Sequence, residues 1–155
     1  MEKPIDYETG TIQHLCRVIL GFFMLFSGIG HLTFGRIHFR AQVPAWILLN
    51  VDTVVILSGI VEILLAILVL FFGHRKRWIP WLLAVFFLVV FPGNWAQYVH
   101  KRDAFGLNTD AARLIRLFFQ PVLMIWALWS MGIIGRYKKQ RNVLDDTDAF
   151  PHKLR

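Results

Sequence analysis

The sequence predicts an all-α integral membrane protein, a four-helix bundle with both termini on the cytoplasmic side (N-in/C-in). Three observations carry this reading. The 155-residue chain is 56% hydrophobic, with 14 Phe and 6 Trp. The apolar excess is gathered into four runs, at about residues 13–34, 50–73, 78–98 and 113–134. Each run is close to the ~20 residues that cross a ~30 Å hydrocarbon core. The basic residues flank the runs instead of interrupting them. A chain of this length makes one domain, and a soluble core has no use for four such runs. In lipid the backbone must satisfy its own hydrogen bonds, so the runs are helices.

Residues 1–12 form a short cytoplasmic lead. Its Glu2, Asp6 and Glu8 are unlike the basic start of a signal peptide. The run that follows is too long and lacks a small-residue cleavage site, so it is expected to stay as the first span. The loop after it, "GRIHFRAQVPAWILLN", mixes Arg36 and Arg40 with Phe39, Trp46 and Ile47, a composition suited to the membrane interface. The second loop is short and basic and predicts a tight hairpin between spans two and three. The third, about 99–112, is polar. The transmembrane domain thus covers 13–134. The tail, 135–155, turns from basic to acidic and reads as a solvated end.

The net charge is +7, but the flanking placement of the basic residues points to a bilayer and not to nucleic acid. An even number of spans puts both termini on one side. That side holds eleven of the 17 Lys and Arg residues, so the positive-inside rule makes it cytoplasmic. "HRKR" at 74–77 and "RYKKQR" at 136–141 are expected to meet anionic head groups. The single cysteine, Cys16, has no disulfide partner and reads as a buried, inert thiol.

Polar and small residues mark the face of each span that meets protein. In the first span these are Arg17, Gly21, Met24, Gly28, His31 and Gly35. In the second they are Ser58, Gly59, Glu62 and Ala66. The third has Ala84, Phe87, Phe91, Asn94 and Tyr98, and the fourth Arg113, Arg116, Gln120, Met124 and Ala127. Depth from the outer end is ~5 Å for His31, ~6 Å for Asn94, ~10 Å for Gln120 and ~18 Å for Glu62, at 1.5 Å per residue. These four side chains are expected to converge on one polar pocket in the outer half of the bundle, with Gly28 and Gly30 leaving room around the His31 ring. Arg113 and Arg116 stand at its mouth, and Tyr98 shares the inward face. Asp52 is either their counter-charge or the cap of span two.

Glu62 and His31 are the candidate catalytic, acid–base groups; Asn94, Gln120, Arg113, Arg116 and Tyr98 are the candidate ligand contacts. An intramembrane carboxylate is costly and marks a site by default, although a protonated Glu62 bonding a neighbouring helix also fits. His31 reads equally as a site residue or as a helix-end cap. Asn94, after Pro92 and Gly93, and Gln120, before Pro121, read as cavity polar groups or as partners of backbone freed by proline. Arg113 and Arg116 also fit snorkelling anchors, and Trp126 and Trp129 fit packing. No metal or thiol motif is present. A bis-histidine haem would need His31 with His100 of a loop, and haem is not expected.

The motifs "SGIGHLTF", "VPAW", "LSGIVEILLAILVL", "VFPGNWAQY" and "RLFFQPVLMIWALW", in that order over about residues 13–134, resemble the DoxX-like family of small bacterial and archaeal membrane proteins. Gly30-His31, Gly59-Ile60-Val61-Glu62, Pro92-Gly93-Asn94 and Gln120-Pro121 match elements of that family's pattern. The resemblance implies a four-helix bundle in a prokaryotic inner membrane and an accessory or quinone-linked place in a membrane redox system. A separate redox partner protein would then donate the electrons, and a quinone head group would meet His31 and Glu62. Two alternatives stand beside it. One is an enzyme or carrier for a lipid or isoprenoid, with Glu62 as acid or base. The other is an assembly partner whose polar residues only join helices.

Overall fold

The computed structural model describes residues 9–106 and 108–134. Residues 1–8, Leu107 and the tail from 135 onward lie outside the described residues, and so do most of the lead and the "RYKKQR" cluster. Four long helices carry the apolar runs: α1 (Thr11–Leu32), α3 (Val51–Phe72), α4 (Trp78–Val99) and α5 (Asp110–Ser130). A short helix, α2 (Arg36–Phe39), and a 3₁₀ turn (Arg40–Gln42) lie in the first connection. All four long helices have the length and apolar character to cross a membrane. The described residues contain no strand. The protein is an all-α, multi-pass membrane protein.

Caps set the helix ends. The Asn50 side chain accepts from the Asp52 backbone N–H at 2.9 Å and starts α3. Thr109 Oγ1 accepts from Ala112 N–H at 3.2 Å, which starts α5 at Asp110, ahead of its apolar run. Pro92 and Pro121 sit inside α4 and α5 without ending them.

The helices pack chiefly in two pairs, α1 with α3 and α4 with α5. Spans two and three do not form the tight hairpin expected from their five-residue loop. α3 and α4 meet only sparsely, because each is held by another partner. Near the two termini the bundle is filled by Leu20, Met24, Leu65, Val69, Leu83 and Phe87, among others. Outward-facing Phe22, Phe26, Leu64, Phe71, Ile115 and Phe118 are exposed, as side chains that meet lipid should be.

Polar ties brace both ends. Arg17 is buried and its Nη1 donates to the carbonyls of Val69 at 2.8 Å and Leu70 at 3.0 Å. A cation there satisfies the last turn of α3 and complements its dipole. Trp126 Nε1 donates to the Cys16 carbonyl at 3.2 Å, and Gln13 Nε2 to that of Trp129 at 2.9 Å. The Cys16 thiol is free and half-buried, not buried as expected. In the short loop, His74 is held below its ordinary pKa by desolvation first, and then by the charges of Arg17, Arg75 and His14.

At the other, distal end the first connection folds across the bundle. Gly93 makes this fit, since a Cβ there would lie 2.5 Å from the Gln42 carbonyl oxygen. Arg102 Nη1 donates to the Val43 carbonyl at 2.9 Å and to that of Ala41 at 3.4 Å. Arg40 grips Asp52 with both arms of its fork, and Arg36 Nε stands 3.4 Å from the same carboxylate. Asp52 is therefore the anchor of the first connection and not the counter-charge of Arg113 and Arg116.

Candidate functional site

Where α3 and α4 part, a cavity of about 700 Å³ occupies the distal half of the bundle. His31, Glu62, Asn94, Gln120 and Arg116 all line it. Five polar side chains from four helices therefore share one cavity with otherwise largely apolar walls.

His31 stands in the last turn of α1. Its Nδ1 lies 3.0 Å from the Ser27 carbonyl oxygen and 3.1 Å from Glu62 Oε2. A carbonyl oxygen can only accept, so Nδ1 carries a proton. Glu62 stands behind that N–H. The imidazole is clamped from one face by Phe39, whose ring stacks on it at 3.4 Å between centroids and 16° between planes. No described group bonds Nε2. A carboxylate behind one nitrogen and an unpartnered second nitrogen equip the ring to exchange a hydrogen bond or a proton with a guest.

The backbone explains this closeness. A Cβ on Gly59 would lie 2.6 Å from His31 Cβ, and one on Gly28 would lie 2.7 Å from Ile63 Cγ1 and 3.0 Å from the Gly59 carbonyl oxygen. Gly28 and Gly59 let α1 and α3 touch, which sets His31 one turn from Glu62. Gly30, expected to make room around the ring, instead faces Phe34 and Phe39 at ordinary contact distances.

The opposite wall is an amide relay. Gln120 Nε2 donates to the Phe87 carbonyl at 2.8 Å, and Asn94 Nδ2 donates to Gln120 Oε1 at 2.8 Å. The carbonyl fixes the direction of both bonds, leaving Asn94 Oδ1 as a buried acceptor with no partner among the described residues. Gln42 Nε2, from the first connection, is a buried donor in the same state. Buried polar atoms without a partner are costly, and these two belong to side chains that line the cavity, where a polar guest group could meet them.

Arg116 reaches the cavity from α5. Its guanidinium carbon lies 4.8 Å from the centroid of the Phe105 ring. Phe105 is held in a left-handed backbone conformation, φ 56°, and packs on Phe39 at 4.7 Å and His38 at 5.0 Å.

Two expected contacts lie elsewhere. Arg113 is 6% exposed and does not line the cavity. It is bound by Asp110 at 2.7 Å, by Asp103 and by the Asn108 carbonyl at 3.2 Å, because the α5 cap bends these acceptors around it. Tyr98 lies against Trp95 with its ring tilted, 6.4 Å between centroids, and does not line the cavity either. The inward stripe of α4 steps from Asn94 to Gln97, which is 1% exposed and donates to the Arg102 carbonyl at 3.3 Å. Phe39 and Gln42 also line the cavity, and the sequence pattern does not point to them. Their only sequence signal is the amphipathic character of the first loop, and the glycine of "FPGN" is the sole hint of where that loop lands.

The fold and cavity define a four-span membrane protein with a polar-ended chamber between its second and third spans. The chain belongs to the family described as a domain of unknown function, DUF8561, whose model matches residues 20–131. This corrects the DoxX-like assignment, since no model of that family matches the chain. No curated protein and no solved structure matches.

The imidazole arrangement is directly checkable. In protein carrying nitrogen-labelled histidine, NMR is expected to show a proton bonded to Nδ1 of His31. A bare Nδ1 with the proton on Nε2 alone would contradict the geometry.

Proposed function

We propose that this protein binds an amphiphilic molecule drawn from the bilayer, as a carrier or an enzyme for a lipid-like substrate. The polar end of the guest sits against His31 Nε2, with Glu62 behind the ring, and its apolar chain lies between α3 and α4. The cavity is the observation that carries this reading. Its volume suits a small guest. Leu57 and Val61 of α3 and Val89 of α4 line it while remaining 50%, 43% and 69% exposed on the outside of the bundle. Such residues make a lateral opening toward lipid. On the distal side Gln42, Val43 and Pro44 also line the chamber. His31 Nε2 supplies the hydrogen-bonding end, and Glu62 fixes the ring that presents it. A quinone has the same amphiphilic build and is one outcome of the test below.

The test is lipid extraction and mass spectrometry of the protein purified from membranes in mild detergent. One amphiphile class is expected to be enriched over the bulk lipid. Val61→Trp should fill the opening and abolish enrichment with helix content unchanged. Glu62→Gln should lower retention about tenfold, the scale of one charge-assisted hydrogen bond. A wild-type lipid profile identical to the bulk membrane would sink the proposal.

We further infer that both termini are cytoplasmic and that the chamber lies in the outer leaflet of the cell membrane, on the strength of the basic asymmetry. Lys76→Cys should resist an impermeant thiol reagent in intact cells, while Lys101→Cys reacts. The reverse pattern refutes the orientation.

A further inference from the structure

We propose that the polar end of the guest is acidic, a carboxylate or phosphate on an alkyl chain, and that the guanidinium of Arg116 holds it. This rests on the amphiphile reading above and names its ligand class.

The distal end carries six Lys and Arg side chains on its loops and helix ends, and the described residues account for five. Arg36 and Arg40 share Asp52. Lys101 pairs with Asp110 at 3.4 Å, and Arg113 with Asp110 and Asp103. Arg102 is spent on the carbonyls of Ala41 and Val43. Arg116 alone has neither a carboxylate nor a carbonyl partner among the described residues, and it alone of the six lines the cavity. It is half-buried and sits about six residues into α5, ~9 Å from the helix start. A cation at that depth is costly unless a counter-charge or water meets it.

Its one aromatic neighbour leaves the right groups free. Phe105 lies 4.8 Å from the guanidinium carbon, and a ring at that distance interacts through its π face. The N–H donors of a guanidinium lie in its plane, and none of them has a hydrogen-bond partner among the described residues. In-plane donors in a fixed fork match the two oxygens of a carboxylate or phosphate. Phe105 is held at φ 56°, a conformation that costs about 1–2 kcal/mol for a residue with a Cβ. That strain sets its ring against Arg116 and orients the fork. Glu62, the other ionisable group of the chamber, is engaged by His31 Nδ1 on the α1–α3 wall and makes no ion pair with Arg116. The chamber therefore presents an open cationic fork beside an apolar slot, which is the complement of an acidic amphiphile.

Equilibrium binding of radiolabelled palmitate, hexadecyl phosphate and hexadecanol to the full-length protein in neutral detergent tests this. At least one acid should bind about tenfold or more tightly than the alcohol, the scale of a charge-assisted hydrogen bond. Preference between the two acids distinguishes a fatty acid from a phosphorylated lipid as the source. Arg116→Gln should bring the acid down to the level of the alcohol, and Arg116→Lys should keep part of the preference. The acid-to-alcohol ratio on the unaltered protein decides the matter even if a variant fails to fold. Equal binding of acid and alcohol overturns the acidic assignment and leaves the amphiphile reading standing. An undiminished acid preference in folded Arg116→Gln overturns it as well. Failure of all three probes removes both.

Discussion

At Gly28 and Gly59 the backbones of α1 and α3 pass so close that a Cβ on either would collide with the other helix. Helices in lipid gain little from hiding apolar surface from each other, because the tails around them are equally apolar. They associate through close packing, which small residues permit. The glycine contact therefore fixes how α1 sits on α3, and the site follows. His31 lies over Gly59, one turn from Glu62, and its Nδ1 finds both the Ser27 carbonyl and the Glu62 carboxylate. With α3 committed to α1, and α4 to α5, little holds α3 against α4 at the distal end. The chamber is the gap left by that pairing.

The two halves of the bundle are built differently. Toward the termini the space between helices is closed by Leu, Val, Met and Phe side chains, and polar groups serve only to finish helix ends, as Arg17 does for α3. Toward the distal end the filling is absent and polar side chains are held in fixed directions. The Phe87 carbonyl orients Gln120, which orients Asn94. The charges on the rim are matched except that of Arg116, and the first connection is tied down through Gly93, Arg102 and Asp52. Rigid walls around an unfilled chamber suit a guest better than they suit packing, since apolar side chains filling the chamber would leave Asn94 Oδ1 and Gln42 Nε2 with nothing to bond.

The spans were legible in the sequence because run length alone sets them. Their inward faces were largely legible too, since Glu62, Gly28 and Gln120 are poor lipid-facing residues. What failed was whatever depends on a neighbouring segment. Arg113 and Arg116 are three residues apart and look alike in sequence, yet one is enclosed by Asp103 and Asp110 while the other reaches the chamber. Tyr98 lost its place because the α4 stripe steps to Gln97. Phe39 and Gln42 enter the site through the docking of the first connection, which no local pattern encodes. The DoxX-like resemblance misled for a physical reason. Gly-His, Pro-Gly-Asn and Gln-Pro pairs answer general needs of membrane helices, namely close approach and the satisfaction of freed backbone. Their recurrence in one order does not require common descent.

The glycine contact makes the His31–Glu62 pair. An experimental structure of Gly59→Ala in lipid, beside the unaltered protein, tests it through one distance, His31 Nδ1 to Glu62 Oε2. The added Cβ would start 2.6 Å from His31 Cβ, and relieving that contact requires a shift of about 1 Å. The distance is expected to be 3.1 Å in the unaltered protein and beyond hydrogen-bond reach, above about 3.5 Å, in the variant. A distance still near 3.1 Å with the methyl group in place would contradict it.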